Sequence, residues 1–343
     1  MTAPALRKPR WPLVLAIVCA VAAGTVTWAW NTDSGYYAFL PDKAHPTAPI
    51  ITVPGEKPQV PGSGLYFVDV SILKANEVQR LWAEHLVDGA SLVPDDHILA
   101  PGENEQQRIR DDQRAMADSK TTAQVVAERA FGLDVKIDKL GAQITALAPG
   151  YPAAKAGVEP GQIITRAQGQ QVDDAGQLVQ ALSPVRPGQP ITLRFSDGSS
   201  KTMTSVKSPD DPTHAIVGIN IGDAVKVAHV PVKTTISTPG IGGPSAGLAF
   251  ALEIYDALSN RTLLHGHKVV ATGELDLGGG VHEIGGVEQK TVGAIEAGAD
   301  TFLVPKGNYK DAVSAADGRI KIIAVSTFGQ ALDAIRTLQP VSH

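Results

Sequence analysis

The stretch Gly240-Ile241-Gly242-Gly243-Pro244-Ser245-Ala246-Gly247 leads directly into the apolar run LAFALEIYDAL at 248–258. Leu248, Leu252 and Tyr255 recur at helical spacing, which predicts that Ser245 lies at the entry to a helix. Unpaired N–H groups at a helix N-terminus stabilise an oxyanion, and the flanking glycines let a substrate approach the backbone. The pattern therefore makes Ser245 a candidate nucleophile, against the simpler interpretation that it only caps the helix.

The same residues also fit a different class of hydrolase. Gly243-x-Ser245-x-Gly247 matches the nucleophile elbow of α/β-hydrolases, and Asp276 and His282 follow in that fold's order. That fold needs a larger sheet than the remaining chain can build, and its acid and histidine are dispersed rather than six residues apart. The elbow is therefore the weaker interpretation.

A second segment decides between these alternatives. VVATGEL at 269–275 is followed by GVHEIGGVEQK at 280–290, and together with GPSAG at 243–247 these motifs closely resemble the proteolytic domain of the Lon family. The motifs occur in the family's order, and Ser245 and Lys290 are 45 residues apart, similar to the family's spacing. The resemblance covers about 130 residues and implies a serine peptidase with a Ser–Lys dyad.

The resemblance also implies a role for each site residue. Ser245 is the nucleophile, Lys290 the general base and Thr272 the residue that helps orient them. The supporting loop is formed by Gly243, Pro244 and Ala246. A lysine base must be neutral part of the time, and burial at a helix start lowers its pKa. Gly242 stands where many Lon enzymes carry an acidic residue, so substrate preference need not carry over.

A second module precedes this one at about 125–208. The segment AAKAGVEPGQIITRAQGQ at 153–170 combines a short helix, a Pro-Gly turn and a strand, and it resembles a PDZ domain of the bacterial protease-associated kind. The resemblance implies that a peptide adds as a strand to a sheet edge. Phe131, Gly132 and Leu133 are the candidate carboxylate-binding loop, or simply core residues where a strand begins.

The N-terminus predicts a membrane anchor. Arg7, Lys8 and Arg10 precede an uncharged run at 11–30 that is long enough, as a helix, to span a bilayer. The basic residues predict a cytoplasmic N-terminus and an extracytoplasmic body. A cleaved signal peptide is the alternative, because Ala20-Val21-Ala22 fits a cleavage pattern.

The remaining boundaries follow from composition. We expect a basic cytoplasmic tail at 1–10, a transmembrane helix at 11–30, a Pro/Gly-rich spacer at 31–62 and a strand followed by exposed helices at 63–124. The PDZ domain at 125–208 and the Lon-like domain at 209–340 complete the chain.

Composition excludes several other functions. A net charge of −5 argues against a nucleic-acid binder, and the single cysteine excludes an intramolecular disulfide or a cysteine-based metal cluster. No GxxxxGK[ST] motif is present, so the sequence has no ATP-hydrolysing P-loop. We expect no cofactor and no metal, because metal-ligand spacing is absent around His214, His229, His265, His267 and His282.

The sequence thus predicts an α/β (α+β) Lon-type proteolytic domain, a mainly-β PDZ domain and one transmembrane helix. The expected function is ATP-independent serine endopeptidase activity at the cell membrane, with the PDZ module docking substrate tails. Its partners would be proteins or peptides with exposed termini, the lipid bilayer through 11–30, and further copies of the chain in a ring. The alternative is a PDZ-based scaffold with an inert peptidase module.

Overall fold

The chain folds into two compact units, one inserted within the other. The structure, a computed structural model, describes residues 11–59, 62–99, 104–209 and 211–340, with only the backbone described for 11–17 and Glu84. The first unit comprises the described residues up to Leu133 and from Val232 onward. The second unit is Asp134–Pro231. The first unit is therefore assembled from two separate stretches of chain.

The stretch before the insertion supplies helices and short strands to the first unit. Their bounds are α1 Trp11–Asn31, β1 Asp33–Pro41, β2 His45–Pro46, β3 Ile51–Thr52, β4 Gly64–Phe67, β5 Val70–Asn76, α2 Glu77–Leu86, β6 Ser91–Pro94, α3 Asp95–Ile98 and α4 Glu105–Ala130. α2 and α4 each begin at a capping box, in which Asn76 and Asn104 exchange hydrogen bonds with the third helical residue. β1 is the central strand of a three-stranded antiparallel sheet with β5 and β6.

The inserted unit is mainly β. Its elements are β7 Lys136–Leu147, α5 Pro152–Lys155, β8 Ile163–Ala167, β9 Gln170–Gln171, α6 Ala175–Leu182, β10 Pro190–Phe195, β11 Ser200–Thr204, β12 Val206–Lys207, β13 Ala215–Ile216 and β14 Ile219–His229. The sheet order is β11-β10-β8-β7-β14, so β14 is an edge strand. β10 alternates buried Ile191, Leu193 and Phe195 with exposed residues, which places one face of this sheet on its own core.

The chain then returns to complete the first unit. Its further elements are β15 Thr235–Ile236, α7 Gly247–Leu258, β16 Lys268–Ala271, β17 Glu274–Leu275, β18 Val281–His282, α8 Val287–Glu296, β19 Thr301–Pro305, a 3-10 helix Lys306–Asn308, α9 Tyr309–Ala316, β20 Lys321–Val325 and α10 Phe328–Arg336. β16, β19 and β20 are parallel neighbours, and β4 joins them in parallel beside β16. β2 closes the sheet order β2-β4-β16-β19-β20.

The core of the first unit joins residues from both stretches. α7 is buried on nearly every side, and Phe250 on this helix packs edge-on against Phe67 of β4, with 5.6 Å between ring centroids. Met116, Ala123 and Ala127 of α4 lie in the same apolar cluster. Burial on nearly all sides explains why the sequence that follows Ser245 is mostly apolar.

The segment 31–62 is not the extended spacer expected from its prolines and glycines. β1, β2 and β3 lie within it, and Tyr37, Ile51 and Val53 are almost fully buried. β3 pairs with β15 from beyond the insertion, and β2 pairs with β4. These short strands pair with distant parts of the chain, so they leave no local sequence period. The high content of proline and glycine therefore gave the wrong prediction of a spacer.

The expected boundaries of the second module also differ from the structure. Residues 125–130 belong to α4 of the first unit, whereas 209–231 belong to the inserted unit because β14 pairs with β7 over most of its length. The single strand expected at the start of 63–124 is likewise two strands, β4 and β5, in different sheets.

The N-terminal run forms the helix α1. Among the residues that the structure describes, no helix meets the length and apolarity needed to cross a membrane. The side chains of 11–17, within the predicted anchor, and all of the predicted tail at 1–10 lie outside the described part.

Candidate active site

Ser245 lies on the loop that leads into α7, two residues before the helix begins. Gly243 adopts φ 82°, a conformation that favours glycine. Its N–H donates to the carbonyl oxygen of Asp112 at 2.8 Å, and the Ser119 hydroxyl donates to the carbonyl oxygen of Pro244 at 3.0 Å. Both contacts come from α4, so this helix holds the nucleophile loop in place.

Lys290 approaches the serine from the first turn of α8. Gly286 caps this helix with φ 67°, and the Lys290 side chain is buried. Its Nζ lies 2.9 Å from Ser245 Oγ, within hydrogen-bonding distance. The two side chains predicted to act together are thus brought into contact.

A glycine in α8 allows this helix to lie close to the segment that follows β1. A Cβ added to Gly293 would lie 1.9 Å from the carbonyl oxygen of Asp42, so only glycine allows this approach. Val68, immediately after β4, packs on the same glycine. This close packing of Gly293 fixes the position of α8, and with it Lys290, relative to the five-stranded sheet that contains β4.

Burial makes Lys290 a suitable base. Removal of the ammonium from water lowers the pKa of Lys290 to about 8, and the nearby charge of Asp69 partly opposes the shift. With a pKa of about 8, roughly one Lys290 in ten is neutral at pH 7, compared with fewer than one in a thousand for an ordinary lysine. The neutral amine can accept the hydroxyl proton of Ser245.

Thr272 acts on the serine through its backbone. The buried Thr272 hydroxyl donates to the carbonyl oxygen of Ser245 at 3.1 Å, and the N–H of Gly273 donates to the same oxygen at 2.8 Å. The two residues that follow β16 therefore fix the position of the Ser245 carbonyl group. This arrangement fits a positioning role for Thr272, exerted on the nucleophile rather than on the base.

The loop also offers donors for an oxyanion. Within the described residues, the N–H groups of Ser245 and Ala246 make no backbone hydrogen bond, and Ala246 is the N-cap of α7. Donors at a helix start stabilise the negative oxygen of a tetrahedral intermediate. The nucleophile Ser245, the base Lys290 and these two N–H donors thus belong to one site.

Sequence reasoning missed the part played by α4 and Asp69. The helix was expected to be exposed and polar, yet Met116, Ser119 and Ala123 are buried. The recurrence of small or apolar residues every three or four positions was the available signal. No local pattern identifies Asp69, which follows β4 and acts only through its charge.

The predicted carboxylate loop lies outside the inserted unit. Phe131 is the C-cap of α4, and its ring packs edge-on against Tyr255 with 5.9 Å between centroids. Phe131, Gly132 and Leu133 all fall in the first unit. These residues therefore lie outside the unit that contains the PDZ-like segment 153–170, and Phe131 packs against α7.

The inserted unit has a groove elsewhere. A cavity of about 570 Å³ lies between α6 and the edge strand β14. Its walls include Val179 and Leu182 of α6 and Ile219 and Ile221 of β14. Val179 is 61% exposed, so an apolar side chain faces open space beside an unpaired sheet edge.

One group of potential metal ligands occurs in the first unit. Asp42, His45 and Asp69 each place a ligand atom within 4.8 Å of the others. Such groupings are common without a metal, and all three side chains are partly exposed. No cofactor or metal role is assigned to them.

Comparison with known proteins identifies the class of each unit. Residues 221–336 match the Lon protease (S16) C-terminal proteolytic domain, and residues 143–196 match a PDZ domain. The first match contains both Ser245 and Lys290. The chain thus carries a Lon-type proteolytic domain and a PDZ domain, and the first supports a serine peptidase.

Individual relatives agree with this class. Lon protease 2 of Bacillus subtilis (strain 168) is 40% identical over 111 residues, which is 32% of this chain and 20% of that protein. Lon protease of Clostridium acetobutylicum is 43% identical over 84 residues, covering 24% of this chain and 10% of that protein. The chain spans between about a tenth and a fifth of the length of the curated relatives it matches. A crystal structure of the PDZ domain of an SdrC-like protein from Listeria monocytogenes covers 24% of this chain and 86% of its own, at 14% identity and TM-score 0.21.

Proposed function

We propose that this chain is an ATP-independent serine endopeptidase that uses Ser245 as nucleophile and Lys290 as general base. The observation that carries the proposal is the 2.9 Å contact between the buried Lys290 Nζ and Ser245 Oγ. Neutral Lys290 takes the hydroxyl proton while Ser245 Oγ bonds to the scissile carbonyl carbon. The resulting oxyanion faces the N–H groups of Ser245 and Ala246.

The second half of the reaction returns the proton. Protonated Lys290 donates it to the leaving amine as the peptide C–N bond breaks, which leaves an acyl ester on Ser245. Water then attacks the ester, again with Lys290 as base, and releases the second product. The absence of a P-loop motif from the sequence supports action on unstructured chains without ATP.

The dyad is tested with the full chain, three dyad variants and one control variant. We expect Ser245→Ala and Lys290→Ala to abolish cleavage of an unstructured protein, and Lys290→Arg to be equally inactive because guanidinium does not deprotonate. Lys310→Ala, at an exposed position of α9, is the matched lysine control. A fluorophosphonate should label the wild-type chain at Ser245. Activity of Lys290→Ala near the wild-type level would refute the dyad, and an unlabelled, inactive wild type would favour the scaffold alternative.

We also propose that the inserted unit docks substrate tails in the groove between α6 and β14. An extended peptide would add to β14 through main-chain hydrogen bonds, with side chains resting on Val179 and Leu182. Docking raises the local concentration of the tail for a nearby reaction, with effective concentrations of about millimolar for short tethers.

The groove is tested by placing a charge in it. Val179→Glu should raise KM for tailed proteins and leave hydrolysis of a short reporter peptide unchanged. Gln180→Glu adds the same charge at the next exposed position of α6, outside the groove, and should behave as wild type. Amidation of the substrate C-terminus should mimic Val179→Glu if a free carboxylate is bound. Equal KM values for both variants would reject docking at this groove.

Membrane tethering completes the proposal. It is supported by the basic residues Arg7, Lys8 and Arg10 ahead of the uncharged run at 11–30. The peptidase would then act outside the cytoplasm on a single-pass anchor. A reporter that is active only in the cytoplasm, fused after His343, should be silent, and the chain should resist extraction from membranes at alkaline pH. A bright reporter would reverse the topology.

A further inference from the structure

Another cavity, this one in the first unit, lies against the loop that carries Ser245. It has a volume of about 450 Å³ and extends between α4 and the segment 238–242, which runs into Ser245. Gly242, three residues before the serine, forms part of its wall. The cavity therefore adjoins the loop that carries the nucleophile, and its wall ends three residues before Ser245.

The cavity contains polar groups that lack partners. Arg108 Nε and Thr238 Oγ1 are buried and make no hydrogen bond among the described residues. Lys120 is half-buried at the same cavity, and no ion pair joins it to an acid in the described part of the chain. A buried donor without an acceptor is costly, so two such groups beside the half-buried ammonium of Lys120 indicate a site that suits an acceptor.

The charges at this cavity favour an anion. Arg108 and Lys120 are the cations in its wall, and Asp112 is the acid. Arg108 Nη1 donates to Asp112 Oδ2 at 2.9 Å, so this pair is mutually compensated and the Lys120 charge remains. Burial lowers the pKa of Lys120, as expected for an ammonium that gives up water without gaining an acid.

The rest of the cavity wall is apolar and favours an anion that also has an apolar part. Val70, Ile72, Ile109 and Met116 supply an apolar surface beside the cations. A ligand that suits both parts has an aliphatic stem ending in a carboxylate. A glutamate side chain and the C-terminal carboxylate of an apolar residue both have this chemistry.

We propose that the cavity between α4 and 238–242 binds a carboxylate of the peptide substrate through Lys120, with Arg108 Nε and Thr238 Oγ1 as additional donors. The inference rests on the proposed peptidase function and adds a substrate class to it. Lys120 is a specificity-determining residue in this proposal and takes no part in bond cleavage. Peptides that carry a carboxylate near the scissile bond are the favoured substrates.

The experiment compares matched peptides on the full-length protein. One arm moves a single Glu or Gln through successive positions of an amidated neutral peptide, and the other compares free and amidated C-termini. We expect at least one carboxylate peptide to exceed its neutral partner about tenfold in kcat/KM, the discrimination expected of one charge-assisted contact. The arm in which the preference appears identifies the source of the carboxylate.

Three variants assign the preference to the cavity. Lys120→Met should reduce the carboxylate-to-neutral ratio to about one while retaining cleavage of neutral peptides, and Lys120→Glu should bring the ratio below one. Arg114→Glu makes the same charge change at an exposed position of α4 outside the cavity and should keep the wild-type ratio. The preference should also weaken with added salt. A wild-type ratio of one at every position, or a ratio that Lys120→Met leaves unchanged, would overturn the proposal.

A binding measurement separates this inference from the peptidase proposal. Fluorescent Glu and Gln peptides are titrated against the Ser245→Ala chain, which needs no catalysis. Tighter binding of the Glu peptide, lost in Ser245→Ala with Lys120→Met, supports the carboxylate site even if no peptide is cleaved. Equal binding of the two peptides at every position rejects it.

Discussion

Replacement of Lys290 by methionine should abolish activity and yet stabilise the fold at neutral pH. Methionine keeps the length and apolar stem of the side chain but removes the buried charge. Burial lowers the pKa of Lys290 from 10.5 to about 8, so keeping the ammonium in the folded chain at pH 7 costs about 3 kcal/mol. Loss of the hydrogen bond to Ser245 offsets about 1 kcal/mol of this gain, independently of pH.

The pH dependence gives the stronger test. Between about pH 8 and 10.5 the unfolded chain still carries the Lys290 proton and the folded chain does not, so wild-type stability rises with pH across this window. Lys290→Met lacks that rise. Its advantage over wild type should therefore be greatest below pH 8 and shrink by about 3 kcal/mol by pH 10.5.

Urea unfolding at intervals from pH 7 to 10.5 measures this difference directly. Lys310→Met, at an exposed site, controls for the removal of a lysine and should follow the wild-type profile. The same titration should appear in catalysis, with kcat/KM falling about tenfold per pH unit below an apparent pKa of about 8. A stability difference that is constant across pH 7 to 10.5 would refute a buried lysine of lowered pKa.

Three further substitutions test the geometry of the site and the packing of the first unit. Thr272→Val removes one of two hydrogen bonds to the Ser245 carbonyl, so kcat should fall about tenfold with KM nearly unchanged in steady-state kinetics, whereas full activity would deny the positioning role. Arg261→Met leaves the buried carboxylates of Glu253 and Asp256 unpaired and should lower the free energy of unfolding by about 3–5 kcal/mol in urea, an effect that a charge-keeping Arg261→Lys should reduce. Gly293→Ala places a Cβ 1.9 Å from the Asp42 carbonyl oxygen and should cost about 1–3 kcal/mol, while Gly285→Ala, which meets nothing within 4 Å, should show little change by the same measurement.

The catalytic pair was accessible from sequence because its determinants are local. The glycines before Ser245 and the helix after it predict a serine at the entry to a helix, and Lys290 is likewise expected at a helix start. Their contact across 45 residues came only from the resemblance to Lon proteases, since no periodicity joins two separate loops. The lowered pKa of Lys290 followed from the expected burial.

The features that escaped prediction depend on distant partners. Ile51 pairs with Ile236 across the whole insertion, so nothing near Ile51 identifies its strand. The alternating sequence of β14 is compatible with a strand of either unit. Only its pairing with β7 assigns it to the inserted unit. Helix α4 has many charges on its open face, which concealed the buried face that holds the Ser245 loop.

The insertion also constrains the order in which the chain folds. β4 and β16 are neighbours in the central sheet, yet about 200 residues separate them, and the entropic cost of closing such a loop grows by about 0.6 kcal/mol per doubling of length. The inserted unit pairs its own first and last strands, with Lys136 beside His229, so its folding joins the ends of about half of that loop. During synthesis this unit is complete before β16 emerges. Ser245 and Lys290 therefore meet only after the inserted unit is complete, and a chain arrested before this stage has a folded PDZ-type unit but no assembled dyad.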